Sequence, residues 1–290
     1  MSTPSIETVE RIRALGREIL AAVPGSQAVY AGEHETEPYA GVDVVRDARY
    51  GSHERHRLDV FSSQDGAGRR PIFVFVHGGG FVAGDKHTPG SPYLDNVALW
   101  AARHGMVGIN ITYRLAPEFK FPSGAEDLAA AVQWARQNAA SFGGDADRIF
   151  LMGTSAGAVH VADFIAHDRF AGDRSGVKGA ILLSGVYDLT LADAPPNQTY
   201  YGEGAGNAAG LSSLPGLLES PIPLQFVLTE FDPPMFESQA LRVLQAWTER
   251  HGQWPDFIRL MGHNHLTSTF HLNTQDDHLG AQMLAFMARA

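Results

Sequence analysis

Ile72-Phe73-Val74-Phe75-Val76 runs straight into His77-Gly78-Gly79-Gly80, and further along Ile149-Phe150-Leu151-Met152 runs into Gly153-Thr154-Ser155-Ala156-Gly157. Apolar runs without polar interruption suit strands buried on both faces. A serine with glycines two residues to either side suits a sharp turn from such a strand into a helix, since a side chain at either glycine position would crowd the turn. The turn presents a hydroxyl, and glycine backbone at 78–80 can bring N–H groups close to an anion that the hydroxyl creates. Composition alone would produce the serine motif about 0.2 times and the His-Gly-Gly-Gly motif about 0.02 times in such a chain. Their joint presence, each behind a strand-like run, is what decides the fold.

Outward from these motifs, strand-like runs at 42–50, 57–61, 72–76, 107–112, 149–152, 180–184, 224–229 and 257–261 precede or alternate with helical spacing at 124–138, 156–165, 235–250 and 277–287. This predicts an α/β fold: an eight-stranded, mostly parallel sheet with helices on both faces and an antiparallel edge from the first strands. Ile6, Val9, Ile12, Leu15, Ile19 and Leu20 recur near helical spacing with charges between them, which predicts an amphipathic helix lying over the active site as a cap. The expected division is a cap helix and linker over 1–45 and a catalytic domain over 46–290. The stretch 193–221, rich in small and turn-forming residues and containing Tyr200 and Tyr201, reads as a wall of the pocket.

The chain has 290 residues, 44% of them apolar, enough for one substantial core. Its net charge is -10 and it has no long Lys/Arg run, so nucleic acid and anionic membrane surfaces are poor partners and a small-molecule substrate is expected. It has no cysteine, which excludes disulfides, thiolate catalysis and cysteine-based metal sites. Charges scattered through residues 1–23 do not suit a signal peptide, and no segment has the roughly 18 apolar residues of a membrane span, so no membrane insertion and a cytoplasmic address are expected.

A serine hydroxyl needs a base to take its proton, and the base needs a carboxylate to hold its tautomer. Asp232, in Thr229-Glu230-Phe231-Asp232-Pro233-Pro234, follows a late strand; it is also placed to cap the next helix, and Glu230 is the alternative acid. Gly262-His263-Asn264-His265 follows the last strand and offers two histidines for the base. With His271 they would make a metal site if a carboxylate or cysteine completed it, but none is evident in the sequence, and no metal is expected. Gly79, Gly80 and Ala156 are the candidate oxyanion-hole donors.

His77-Gly78-Gly79-Gly80-Phe81, Tyr113-Arg114-Leu115-Ala116-Pro117-Glu118 with Phe121-Pro122 and Asp127, Gly143-Gly144-Asp145 before Arg148, and the serine turn stand in the order found in the hormone-sensitive-lipase-like branch of the α/β hydrolases, which the chain resembles from Ile72 to its C-terminus. The resemblance implies the α/β-hydrolase fold with an N-terminal helical cap, no cofactor, and a carboxylic ester hydrolase acting on short to medium acyl esters. Its Gly-x-x-His spacing selects His265, giving a Ser155-Asp232-His265 triad with His263 at the surface or behind the base. It also implies that His77 and 113–118 are scaffolding, that Pro117 and Pro122 sit in cis bonds, and that a homodimer is a common state. Thr154 and Ala158 depart from the branch's usual Gly-Asp-Ser-Ala-Gly-Gly. Together with Leu183-Ser184-Gly185-Val186-Tyr187-Asp188-Leu189 they are similar to arylformamidase-like relatives that hydrolyse N-formylkynurenine, so an amide hydrolase is the alternative. A non-catalytic ligand-binding protein on the same fold is the third reading, against which both His265 and Asp232 stand.

Overall fold

β3 (Arg70–Val76) shows why the decisive apolar run has no alternation, since both of its faces are covered in the computed structural model, which describes residues 3–65, 68–192, 195–202 and 208–290. The described residues form one eight-stranded sheet from β1 (Val42–Arg49), β2 (Arg57–Ser63), β3, β4 (Val107–Ile111), β5 (Gly144–Thr154), β6 (Val177–Leu183), β7 (Leu224–Phe231) and β8 (Asp256–Asn264), in the order β1-β2-β4-β3-β5-β6-β7-β8. The first two pairings are antiparallel and all later ones parallel. This is the α/β-hydrolase arrangement expected from the sequence.

The helices are α1 (Ile6–Ala14), α2 (Ile19–Tyr30), α3 (Asp95–Arg103), α4 (Ser123–Asn138), α5 (Ala156–Ala166), α6 (Pro195–Tyr201), α7 (Ala208–Leu211), α8 (Leu214–Leu218), α9 (Pro234–His251), α10 (Thr267–Phe270) and α11 (His278–Met287). Ile72, Val74 and Val76 pack on one face with Leu128 and Val132 of α4, Val161 of α5 and Val243 of α9. Phe73 and Phe75 pack on the other with Trp100 of α3 and Met283 and Phe286 of α11. A period of two with both faces buried leaves no polar position to mark it.

Three elements differ from the sequence reading. α3 was not foreseen, because Val97 to Ala102 are all buried and carry no amphipathic period. It lies so close to β4 that a Cβ on Gly108 would fall 2.3 Å from the Ala98 carbonyl oxygen. The single N-terminal helix is two, because Gly16 takes φ 74° just past the end of α1, and α2 continues through Pro24. Ile12 and Tyr30 pack with Phe231 and Phe270, so this pair of helices rests on the C-terminal ends of β7 and β8. Within 193–221 the chain forms α6, α7 and α8; positions 193–194 and 203–207 of that expected pocket wall lie outside the described residues. Pro117 and Pro122 follow cis bonds, as does Pro38. Among the described residues no helix is long and apolar enough to cross a membrane.

The passage from β5 into α5 is sterically closed. A Cβ at Gly153 would lie 2.3 Å from the Gly157 carbonyl oxygen, and one at Gly157 would lie 2.1 Å from the Val76 carbonyl oxygen. Backbone on both sides cannot swing away as a side chain would. We therefore expect Gly157→Ala to destabilise the protein by about 3 kcal/mol or more, with Gly172→Ala, where nothing lies within 4 Å, changing stability by no more than about 0.5 kcal/mol; urea unfolding of the two variants measures the contrast.

His160 of α5 is fully buried among Phe81, Tyr113 and Tyr200, and neither ring nitrogen has a hydrogen-bond partner among the described residues. Burial, with a smaller contribution from His77, lowers its pKa to about 3. The folded chain thus keeps this ring neutral at pH values where the unfolded chain has already protonated it. Above pH ~6.5 the two states bind equal protons there; below it stability is lost, by about 1.4 kcal/mol per pH unit, until the folded ring itself titrates. Replacing His160 with Leu should flatten the fall in unfolding free energy between pH 6 and pH 4.5 by about that slope, measured by urea titration at each pH; an unchanged slope would contradict a neutral buried His160.

Candidate active site

Ser155 sits between β5 and α5 at φ 54° and ψ -122°, a conformation L-residues rarely adopt. Its own N–H donates to the Leu183 carbonyl (2.9 Å), which ties the turn to the end of β6. The next residue along β6's exit, Ser184, carries the link to the acid: Ser184 Oγ donates to Asp232 Oδ2 at 2.6 Å. Asp232 Oδ2 also accepts from the Thr229 N–H at 2.7 Å, and Asp232 Oδ1 accepts from His265 Nδ1 at 2.6 Å. Burial alone would raise the Asp232 carboxyl, but the bonds from His265, Ser184 and Thr229 outweigh it and hold the group below the usual carboxylate range.

With Nδ1 engaged as donor, His265 presents Nε2 for proton transfer. The Phe236 ring stacks on the imidazole at 4.6 Å and Ser268 Oγ donates to the His265 carbonyl at 2.7 Å, fixing ring and backbone. Phe236 shares one apolar cluster with Ala156, Phe81, Val159 and Tyr200, so the His265 ring and the serine turn border the same apolar cluster. Ser155 Oγ makes no hydrogen bond among the described residues; such bonds commonly tighten only when substrate is bound.

The glycine loop lies against the serine. A Cβ on Gly78 would come within 3.2 Å of Ser155 Cβ, and one on Gly79 would fall 2.0 Å from the Ala83 carbonyl oxygen. Gly79, Gly80 and Phe81 take φ values of 124°, 59° and 68°, a succession that leaves the Gly79 and Gly80 N–H groups without an acceptor among the described residues. Ala156 opens α5, so its N–H also points out of the helix start, where the dipole favours negative charge. His77 stacks on Tyr113 at 4.4 Å, and the Tyr113 hydroxyl donates to the His77 carbonyl at 2.9 Å, bracing the loop from behind.

The alternatives weighed in the sequence fall elsewhere. Glu230 Oε2 accepts from the Gly262 N–H at 2.8 Å. Asp232 makes no helix cap, since no side chain caps α9. His263 is fully buried rather than at the surface, beside Tyr30, His271 and Asp276. Phe81 stacks on Tyr200 at 4.5 Å beside the serine turn, whereas Phe119 packs on His53 and Arg114, and Phe231 under the N-terminal helices. Sequence reasoning gave no role to Ser184, Thr229 or Phe236. Nothing in their own neighbourhoods marks them, because each acts through a contact made across strands or loops.

A family profile described as the alpha/beta hydrolase fold matches residues 73–211. Versiconal hemiacetal acetate esterase of Dothistroma septosporum is 33% identical over 178 residues, covering 58% of this chain and 51% of that protein. Esterase LipQ of Mycobacterium tuberculosis is 29% identical over 244 residues, covering 80% of this chain and 54% of that protein. The chain thus spans about half the length of these relatives. An esterase structure from Pyrobaculum calidifontis shares the fold at TM-score 0.69 and 22% identity, covering 98% of this chain and 97% of that one. Profile, relatives and fold support the α/β-hydrolase fold, and the chain is similar to esterases of the hormone-sensitive-lipase-like branch.

Proposed function

We propose that the protein is a carboxylesterase, a serine hydrolase of short to medium acyl esters, with Ser155 as nucleophile, His265 as general base and Asp232 as the carboxylate that orients it. The observation that carries this reading is the 2.6 Å bond from His265 Nδ1 to an Asp232 whose charge is already held by Ser184 and Thr229. A carboxylate so held stays ionised and stabilises the imidazolium that proton transfer creates. The names of the two enzyme relatives, both ester hydrolases, support the same chemistry.

In this reading Ser155 Oγ attacks the acyl carbon while its proton passes to His265 Nε2. The carbonyl π electrons move to oxygen, and the N–H groups of Gly79, Gly80 and Ala156 bind that oxyanion, each typically worth a few kcal/mol of the barrier. Collapse breaks the bond to the alcohol, which leaves with the proton from His265. Water, deprotonated by the same nitrogen, then attacks the acyl-Ser155 carbonyl; the second collapse releases the carboxylic acid and restores Ser155. Phe81, Tyr200, Val186 and Leu189 form the apolar side on which the acyl chain lies, residues 1–45 act as the cap, and 46–290 as the catalytic domain.

The test is steady-state hydrolysis of p-nitrophenyl esters from acetate to decanoate beside N-formylkynurenine, with wild type, Ser155→Ala and Asp232→Asn. We expect ester turnover at background in Ser155→Ala and kcat lower by about 10⁴-fold in Asp232→Asn, with an optimum at short to medium acyl chains. Stoichiometric labelling of Ser155 by an organophosphonate should accompany it. Preference for the formamide would shift the reading to an amide hydrolase, and failure of both turnover and labelling would reject catalysis at Ser155.

A further inference from the structure

Behind the loop that carries His265 lies a second cluster that the proposed ester chemistry does not use. His263 from the end of β8, His271 just past α10 and Asp276 before α11 are all buried, and their ligand atoms lie within 4.8 Å of one another. Among the described residues, neither nitrogen of the fully buried His263 has a hydrogen-bond partner, nor does Nε2 of the fully buried His271. Buried imidazole nitrogens are ordinarily bonded, so two such rings meeting a buried carboxylate call for an occupant that takes one nitrogen from each. His263 Nε2 is 3.3 Å from Asp276 Oδ2, an ion pair when the ring is protonated.

We propose that His263, His271 and Asp276 bind one divalent transition-metal ion, with zinc the ion that this donor set suits. Two imidazoles and a carboxylate are ordinary zinc ligands, and bonds near 2.1 Å in a tetrahedron set ligand atoms about 3.4 Å apart, close to the spacing between His263 and Asp276. The outer contacts match as well. His271 Nδ1 donates to the Thr267 carbonyl at 2.7 Å, which leaves Nε2 with its lone pair, and the Tyr30 hydroxyl donates to Asp276 Oδ2 at 2.9 Å. Metal-bound histidines and carboxylates are typically oriented by such partners. His278 stands beside them, its ring centre 6.4 Å from that of His263 and its buried Nδ1 without a partner.

The ion would act as a tie. His263 and His271 bracket His265, and Tyr30 is the last residue of α2, so one metal joins the loop of the proposed base to the start of α11 and to the N-terminal helices. A second grouping, Glu37, His87 and Asp95, carries no such inference, because the Arg46 guanidinium already bridges Glu37 and Asp95 at 2.8 and 2.5 Å.

The experiment uses the full chain stripped with a chelator, re-equilibrated with Zn²⁺ or Co²⁺, and assayed for bound metal by elemental analysis, for affinity by competition with a chromophoric chelator, and for thermal midpoint. We expect one equivalent of metal and a raised midpoint in the wild type and in His87→Gln, and affinity at least about 100-fold weaker in His271→Ala and Asp276→Asn. Should either variant fail to fold, the unmutated chain still decides, because Co²⁺ in a four-coordinate nitrogen and oxygen site gives a visible absorption band. Absence of bound Zn²⁺ and of that band, or binding kept by folded His271→Ala and Asp276→Asn, or lost only in His87→Gln, would overturn the proposal. None of these readouts depends on ester turnover, so failure of the metal site and failure of the esterase reading are separable.

Discussion

The rest of the site depends on one backbone constraint, the turn that holds Ser155 at φ 54° between β5 and α5. Strain of this kind persists only where the surroundings over-determine it. Here β5 is hydrogen-bonded in parallel on both sides, to β3 and to β6, and the first turn of α5 is pressed against the end of β3 through Gly157. The same contact brings Val76 and His77 to the serine, and the chain that leaves them is the glycine loop. Ser155 and the glycine loop at 78–80 are therefore positioned by a single packing event at the sheet's centre rather than by two independent loops.

The buried carboxylate is the second constraint, and it is of a different kind. Taking Asp232 out of water would cost several kcal/mol without compensation. Three donors, from His265, Ser184 and the Thr229 backbone, meet it in place of water. Ser184 itself departs from β6 at φ 48° with its N–H on the Val227 carbonyl, so the strand that anchors Ser155 also anchors the acid. Asp232, His265 and Ser155 are thereby referred to adjacent strand ends, which leaves the proposed triad little conformational freedom to lose.

Local signals made much of this legible. A two-faced apolar run, a glycine pair around serine and a proline-led helix after an aspartate are patterns that act within a few residues, and the sheet, α4, α5, α9 and the candidacy of Asp232 follow from them, whereas the preference for His265 over His263 came from the family resemblance. What escaped were features defined by distant chain. α3 is buried all round, so no polar face marks its period. α2 contains Pro24, which ordinarily argues against a helix, and the packing of Ala22, Ser26 and Tyr30 overrides that preference. Asp276 follows His263 by thirteen positions and meets it only because the chain folds back after α10, so no spacing rule would have paired them.

The end of β8 shows how a residue that loses one role takes another. Thr229 pairs with Leu260, and an unbroken register would pair Phe231 with Gly262; instead Phe231 pairs with Asn264. Two extra residues are accommodated on β8, where Gly262 takes φ 82° and gives its N–H to the Glu230 carboxylate. Glu230, weighed as the acid, thus pins the irregularity. The shift carries the chain forward by two positions, so that the residues following the Phe231–Asn264 pair are Asp232 and His265. Without it Asp232 would stand level with His263, whose ring lies in the buried cluster with His271 and Asp276. A single register shift therefore decides which of two histidines meets the Asp232 carboxylate.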